Sequence, residues 1–174
     1  MREESMHNNC QLRLSGIDDV ADLCRISAQA RLRYKAIPNL AHIAETPALP
    51  PARFEACRVV VALDSESQKI IGFAAMRPLD GLLYLDNISV DLDASGSGIG
   101  AKLLTAVIEH AESLGVQAVS LTTFNEPPWN GPWFRKHGFR TMPSEHIAEG
   151  LKQVMDRQWL TLDATTRETL WRVL

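Results

Sequence analysis

The first strong periodicity in the chain lies in "LSGIDDVADLCRISAQARLRY", where Ile17, Val20, Leu23, Cys24 and Ile26 recur at helical steps. That spacing lays an apolar stripe along one face and predicts a helix from Ile17 to Tyr34, capped by Ser15. Ahead of it, residues 1–10 read as a frayed polar start and residues 1–14 as a polar N-terminal segment. Three prolines in "AETPALPPARFEA" then impose a loop, with a short helical turn after it.

From there the apolar pattern becomes that of strands. "CRVVVALD" and "KIIGFAAMRP" are runs rich in β-branched residues, separated by "SESQ", and read as a hairpin. "GLLYLDNISVDL" is a third strand, opened by a turn at Asp80-Gly81. After the glycine-rich "DASGSGIG", helical spacing returns from Lys102 to Leu114. Leu103, Leu104, Val107, Ile108, Ala111 and Leu114 share its apolar face, and Gly115 closes it. "QAVSLTTF" predicts a fourth strand, and "PPWNGPWFRKHG" a short helix ended by Gly138. "FRTM" begins another strand, "HIAEGLKQVMDRQWL" is helical with Gly150 as its weak point, and "ETLWRVL" is a closing strand. The fold class is therefore mixed α/β (α+β), with helices beside a largely antiparallel sheet.

Composition narrows this picture modestly. A length of 174 residues predicts one domain spanning 1–174. Eighteen basic against 21 acidic residues, with no long basic run, argue against nucleic acid as a partner. Cys10, Cys24 and Cys57 are odd in number and lack C-x-x-C spacing, so neither a disulfide framework nor a metal site is expected. The opening residues lack the apolar core of a signal peptide, and no run reaches the ~18 apolar residues of a membrane span. A cytoplasmic location, without a membrane, is the expectation.

The chemistry concentrates in "DASGSGIGAKLL". A strand, a glycine-rich turn and a helix start form a natural anion cradle, because glycine admits close approach and the first helical amides point outward. The phosphate loop of ATPases, G-x-x-x-x-G-K-[ST], fails here twice: counted from Gly96, Ala101 replaces its second glycine and Leu103 its hydroxyl. The dinucleotide pattern G-x-G-x-x-G/A is met by Gly96, Gly98 and Ala101. Its ribose-binding acid is absent from "SLTTFN", and a hairpin stands where its first strand belongs. A plain turn between strand and helix is the remaining alternative.

"ISVDLDASGSGIGAKLL" resembles the signature of the GNAT superfamily of N-acetyltransferases, Q/R-x-x-G-x-G/A after a strand ending in V-x-P. The pattern falls on Ser95, Gly96, Ser97, Gly98, Ile99 and Gly100. "FNEPPWNGPWFRKHGF" is similar to the family's second signature, an asparagine followed by A-x-x-Y-x-K-x-G-F. The likeness covers about residues 58–140. It implies a GNAT-like twisted sheet flanked by helices, a strand–glycine loop–helix unit and acetyl-CoA as co-substrate. The implied enzyme is an acyltransferase moving an acetyl group onto a primary amine.

The same resemblance implies roles for individual residues. Ser95, Gly96, Ser97, Gly98, Ile99, Gly100 and Ala101 would hold the pyrophosphate, and the backbone of Ile88, Ser89 and Val90 would pair with the pantetheine. Asn125, Phe134 and Lys136 would complete cofactor binding, although a strand-end asparagine also serves turns and a helix lysine also faces water. Three departures stand out: Ser95 replaces a Gln or Arg, Leu92 a proline, and Phe134 a tyrosine that protonates the departing thiolate. Strict alternation puts Asp86 on one face with Leu82, Tyr84, Ile88 and Val90. A carboxylate in that apolar run is a candidate general base, unless a bulge turns it outward. Tyr84 is a replacement acid or an ordinary strand aromatic. Arg31, Arg33 and Tyr34 are candidates for a substrate carboxylate, against the alternative of a solvated helix end. The expected partners are a small-molecule amine and, as an option, a second copy in a homodimer. A non-catalytic acyl-CoA-binding module, suggested by Phe134, stays open as the alternative function.

Overall fold

The computed structural model describes residues 10–174. Its strands are β1 (Cys10–Leu14), β2 (Arg58–Asp64), β3 (Ile70–Leu79), β4 (Leu82–Val90), β5 (Ala118–Phe124), β6 (Arg140–Thr141) and β7 (Arg167–Val173). Its α-helices are α1 (Val20–Ala30), α2 (Pro51–Glu55), α3 (Ile99–Leu114), α4 (Gly131–Lys136) and α5 (Glu149–Trp159). The strands follow the order β1-β2-β3-β4-β5-β7-β6 in a seven-stranded sheet. β4 and β5 pair in parallel, through Leu83↔Val119 and Tyr84↔Ser120, within a mostly antiparallel arrangement. This is the mixed α/β class expected. Among the described residues no helix is long and apolar enough to cross a membrane. Two compact units divide the chain: one runs up to Met76 and adds Asn87–Val107, the other takes Arg77–Asp86 and Ile108–Leu174.

In the first unit, β1 corrects the expectation of a polar segment reaching residue 14. Cys10 to Leu14 pair antiparallel with Asp64 to Val60, and the rest of that segment, 1–9, lies outside the described residues. Only Cys10 of this strand is buried, so its apolar signal is short and its polar neighbours dominate the reading. The helix expected over 17–34 is also corrected. It resolves into a 3-10 turn at Ile17–Asp19, α1, and a second 3-10 stretch at Arg31–Ala36. Ser15 is not its cap. The chain enters the turn at Gly16, whose N–H donates to the Asp19 carboxylate at 2.7 Å. Arg13 grips the same carboxylate at 2.7 and 3.1 Å and, as the main cause, holds it below the usual carboxylate range.

α1 buries Leu23 and Ile26 in a core with Val59, Val61, Leu63, Ile70 and Phe73. Phe54 of α2 meets Phe73 edge to face, with ring centroids 5.3 Å apart. Fully burying side chains of this kind contributes about 1.5–3 kcal/mol each, so the apolar stripe of α1 anchors that helix to the strands. α3 starts at Ile99, three residues before the expected position, because the Lys102 N–H already donates to Gly98 O at 3.1 Å.

In the second unit, β5 and β7 run antiparallel from Ala118↔Val173 to Phe124↔Arg167. Tyr84, Met142, Leu151 and Val154 form its buried cluster, with Leu79, Leu82, Ile147, Met155 and Trp171 packed around them. Leu114, placed by periodicity on the apolar face of α3, is instead half exposed in the last turn before Gly115. Leu83, Tyr84 and Leu85 are all buried, so both faces of β4 are covered there and alternation alone does not separate inside from outside.

Candidate active site

The glycine stretch is a built loop. β4 ends at Val90, and the Asp91 N–H donates to Ile71 O at 2.8 Å, fixing where the chain leaves the sheet. A 3-10 turn, Leu92–Ala94, follows; the Asp91 carboxylate caps it by accepting the Asp93 N–H at 3.1 Å. Gly96 and Gly98 then take φ of +80° and +84°, in the left-handed region that side chains disfavour. A Cβ at either position would meet no heavy atom within 4 Å, so the loop's flank is open at both glycines. The ladder of α3 begins with the Lys102 N–H, which leaves the amides of Ile99, Gly100 and Ala101 ahead of it at a helix N-terminus. Exposed glycines, free approach and a sixteen-residue helix behind them fit an anionic diphosphate. Ser97 does not add its hydroxyl proton to that set; it gives it to Ala94 O inside the loop.

One face of α1 runs beside this loop. Arg25 places its guanidinium 3.8 Å from the Asp91 carboxylate, and the Gln29 amide nitrogen, turned toward Asp91, donates to both of its oxygens at 3.0 and 3.2 Å. Four residues further, Arg33 donates to Ser95 Oγ at 2.7 Å. Burial lowers the Arg33 pKa from the ordinary arginine value. The alternative of a solvated helix end does not hold. Arg31 donates to Thr46 Oγ1 at 2.9 Å and to Pro47 O, holding the proline loop, and Tyr34 is buried.

Ile88, Ser89 and Val90 close β4 in the first unit. Ser89 Oγ donates to Asn87 Oδ1 at 2.6 Å. Gly72 of β3 lies against this segment: a Cβ there would come 3.0 Å from Ser89 O and 3.2 Å from the Leu103 side chain. Sequence reading passed over Gly72, although a glycine inside a β-branched run is a signal of close backbone approach.

Tyr84 and Asp86 lie at the other end of β4, in the second unit. Tyr84 is 1% exposed. Its hydroxyl lies 3.4 Å from Thr122 Oγ1, which donates to Gln158 Oε1 at 2.7 Å. Arg167 donates to the same two oxygens at 3.2 and 3.4 Å, and Arg77 stacks its guanidinium 5.2 Å from the Tyr84 ring centre. Burial pushes the Tyr84 phenol above its ordinary value, and the negative charge of Asp86 adds to that rise. Two residues apart on one strand, Tyr84 and Asp86 project from the same side, as alternation predicts. Asp86 itself is half-buried rather than enclosed. Thr122, Gln158 and Arg167 were missed, because they come from β5, α5 and β7 and no local spacing joins them.

The remaining predicted residues scatter over the second unit. Asn125 Nδ2 donates to Thr165 O at 3.0 Å and its N–H to Thr166 O at 2.9 Å, so its amide fastens the approach to β7. Phe134 is buried, edge to face against Trp133 at 5.0 Å and Phe139 at 5.5 Å. Lys136 is exposed on α4.

Comparison with known proteins gives this arrangement a family. Residues 55–141, half of the chain, match the family model for the acetyltransferase (GNAT) domain. Among solved structures, the chain resembles a GNAT-family acetyltransferase from Staphylococcus aureus Mu50. The TM-score is 0.68 at 17% identity, with 95% of this chain and 99% of that one covered. The PaiA N-acetyltransferase of Thermoplasma acidophilum, in complex with coenzyme A, gives a TM-score of 0.67 at 12% identity over 95% of this chain and 99% of its own. A GNAT-family acetyltransferase from Elizabethkingia anophelis with acetyl-CoA bound gives 0.62 at 18% over 96% and 99%. At such identities the structural likeness is one of fold, and the domain match carries the assignment: this chain belongs to the GNAT family of acetyltransferases.

Proposed function

We propose that this protein transfers the acetyl group of acetyl-CoA to a primary amine of a small molecule. The observation that supports this most is the open glycine loop at the N-terminus of α3, inside a GNAT domain and directly after the strand that carries Asp86. Acetyl-CoA supplies the activated thioester. The amides of Ile99, Gly100 and Ala101, with Gly96 and Gly98 leaving room, would take the pyrophosphate; the backbone of Ile88–Val90 would hold the pantetheine and steady the thioester oxygen. The Asp86 carboxylate takes the proton that the amine loses as the new N–C bond forms and the C–S bond breaks. Coenzyme A then leaves as its thiolate, which is protonated by water or by Tyr84. Phe134 has no proton to give. Asn125 and Lys136 are assigned to the cofactor by family resemblance alone.

A second reading, a module that binds acyl-CoA without turning it over, draws on Phe134. A thermal-shift titration with coenzyme A, acetyl-CoA and NAD tests the cofactor. A ligand at 100 times its Kd adds about 2.7 kcal/mol of stability, so binding is readily seen. Stabilisation by both coenzyme A forms but not NAD is expected; no shift with either would sink the proposal. Asp86→Asn then separates the two readings. In the enzyme it lowers turnover in an amine screen by about 10²–10⁴-fold with cofactor affinity retained. In the binding module it leaves both cofactor binding and background thioester hydrolysis untouched.

A further inference from the structure

We propose that Arg33 is a phosphate-contacting residue of the coenzyme A loop, supplying from the segment after α1 the cation that the loop lacks at Ser95. This rests on the coenzyme A reading above and extends it to a residue outside both signatures. The need is visible in the loop itself. Residues 91–101 contain two aspartates and no lysine or arginine, so the stretch offers a net negative charge to a ligand that is itself an anion. Backbone amides alone face that repulsion.

The structure answers each part of the problem from α1 and the 3-10 stretch after it. Arg25 and Gln29 engage Asp91, and this occupies the carboxylate closest to the strand end. Arg33, four residues on in the 3-10 stretch that follows α1, reaches the residue just before the first left-handed glycine. The direction of that bond matters. The guanidinium donates and Ser95 Oγ accepts, so the serine's own proton is available to a further acceptor. The pair thus presents a positive charge and an O–H donor at the edge of the glycine cradle. A guanidinium forms paired hydrogen bonds to phosphate oxygens. The contact also orients Arg33 toward the loop, and this argues against the alternative in which Arg33 holds a carboxylate of the acetyl acceptor.

The test is calorimetric binding to the full-length protein, comparing coenzyme A with pantetheine, which has the same arm but no phosphate. Arg33→Gln should weaken coenzyme A about tenfold, the loss of one partly exposed charge-assisted contact, and leave pantetheine unchanged. It should also flatten the salt dependence of coenzyme A affinity. Arg33→Lys should keep an intermediate affinity, and Ser95→Arg placed in the Arg33→Gln background should restore most of the loss. An equal loss for both ligands would show that Arg33 only braces the loop, and unchanged coenzyme A binding would show that it touches no phosphate; either overturns the proposal. Failure of the unaltered protein to bind coenzyme A would instead fall on the cofactor reading, and take this inference with it.

Discussion

Asp80 offers the sharpest test of how the second unit is held. It is the first central residue of the β3–β4 turn, at φ +54°, followed by Gly81 at +74°, the paired left-handed geometry that Asp-Gly favours. Its carboxylate also accepts the N–H of Gly150 at 2.9 Å and of Leu151 at 2.8 Å, capping α5 from seventy residues away. The helix has no side-chain cap of its own, since its N-cap residue Ala148 carries only a methyl group. Gly150 is part of the fit: a Cβ there would lie 2.5 Å from the Asp80 carboxylate. Loss of such a cap costs about 1–2 kcal/mol, and alanine in the left-handed region about 1 kcal/mol more. Asp80→Ala should therefore destabilise by about 2–3 kcal/mol and lower the melting temperature by about 5–10 °C in a chain of this size. Asp80→Gly keeps the turn and loses only the cap, so it should fall between Asp80→Ala and Asp80→Asn, which retains an acceptor. Calorimetric melting orders the three variants, and hydrogen exchange at Gly150 and Leu151 reads the cap directly. If Asp80→Gly melts with the unaltered protein and leaves those amides protected, the carboxylate does not cap α5.

Two further outcomes follow from the site. Gly72→Ala should press on Ser89 O, offset in part by the usual gain from removing a glycine, for a net fall of about 3 °C in melting temperature and weaker coenzyme A binding; unchanged melting and affinity would show that the strand has room. Tyr84, raised by burial and then by Asp86, should ionise later than an ordinary tyrosine of pKa about 10. The stability from keeping it neutral is complete below about pH 10 and lost as pH climbs through the folded value, because the unfolded chain gives up its proton first. Near-ultraviolet titration should show a late phenolate step that Tyr84→Phe abolishes; a Tyr84 that ionises with the free amino acid would refute its burial.

The strands β2, β3, β4 and β5 and the helix α3 could be read from sequence because each is a sustained apolar pattern bounded by turn residues. "SESQ", Asp80-Gly81 and Gly115 supply that punctuation. β1 escaped because five residues with Gln11 and Arg13 among them give too little alternation to outweigh their polarity. The stretch 17–36 misled for a different reason: apolar spacing is similar in 3-10 and α-helix over a few residues, and packing decides where one becomes the other. Partners distant in sequence were beyond any local pattern. Ser95 and Arg33 stand 62 positions apart, and Tyr84 and Thr122 stand 38 apart.

That division has a physical origin. A glycine motif specifies backbone shape, and backbone shape is local: a tight turn between a strand and a helix can be inferred from the residues themselves, although the helix begins at Ile99 and not at Lys102. The charge around that shape is not local. Counted along the chain, the loop is acidic and short of a cation, and the departure at Ser95 reads as a defect. Counted in space, α1 brings Arg25 and Gln29 to Asp91, the 3-10 stretch after it brings Arg33 to Ser95, and the same serine becomes the acceptor that positions an arginine. A substitution in a motif is therefore weighed correctly only against the side chains that a neighbouring helix delivers to it. Exchange of Ser95 and Arg33, singly and together, measures that coupling.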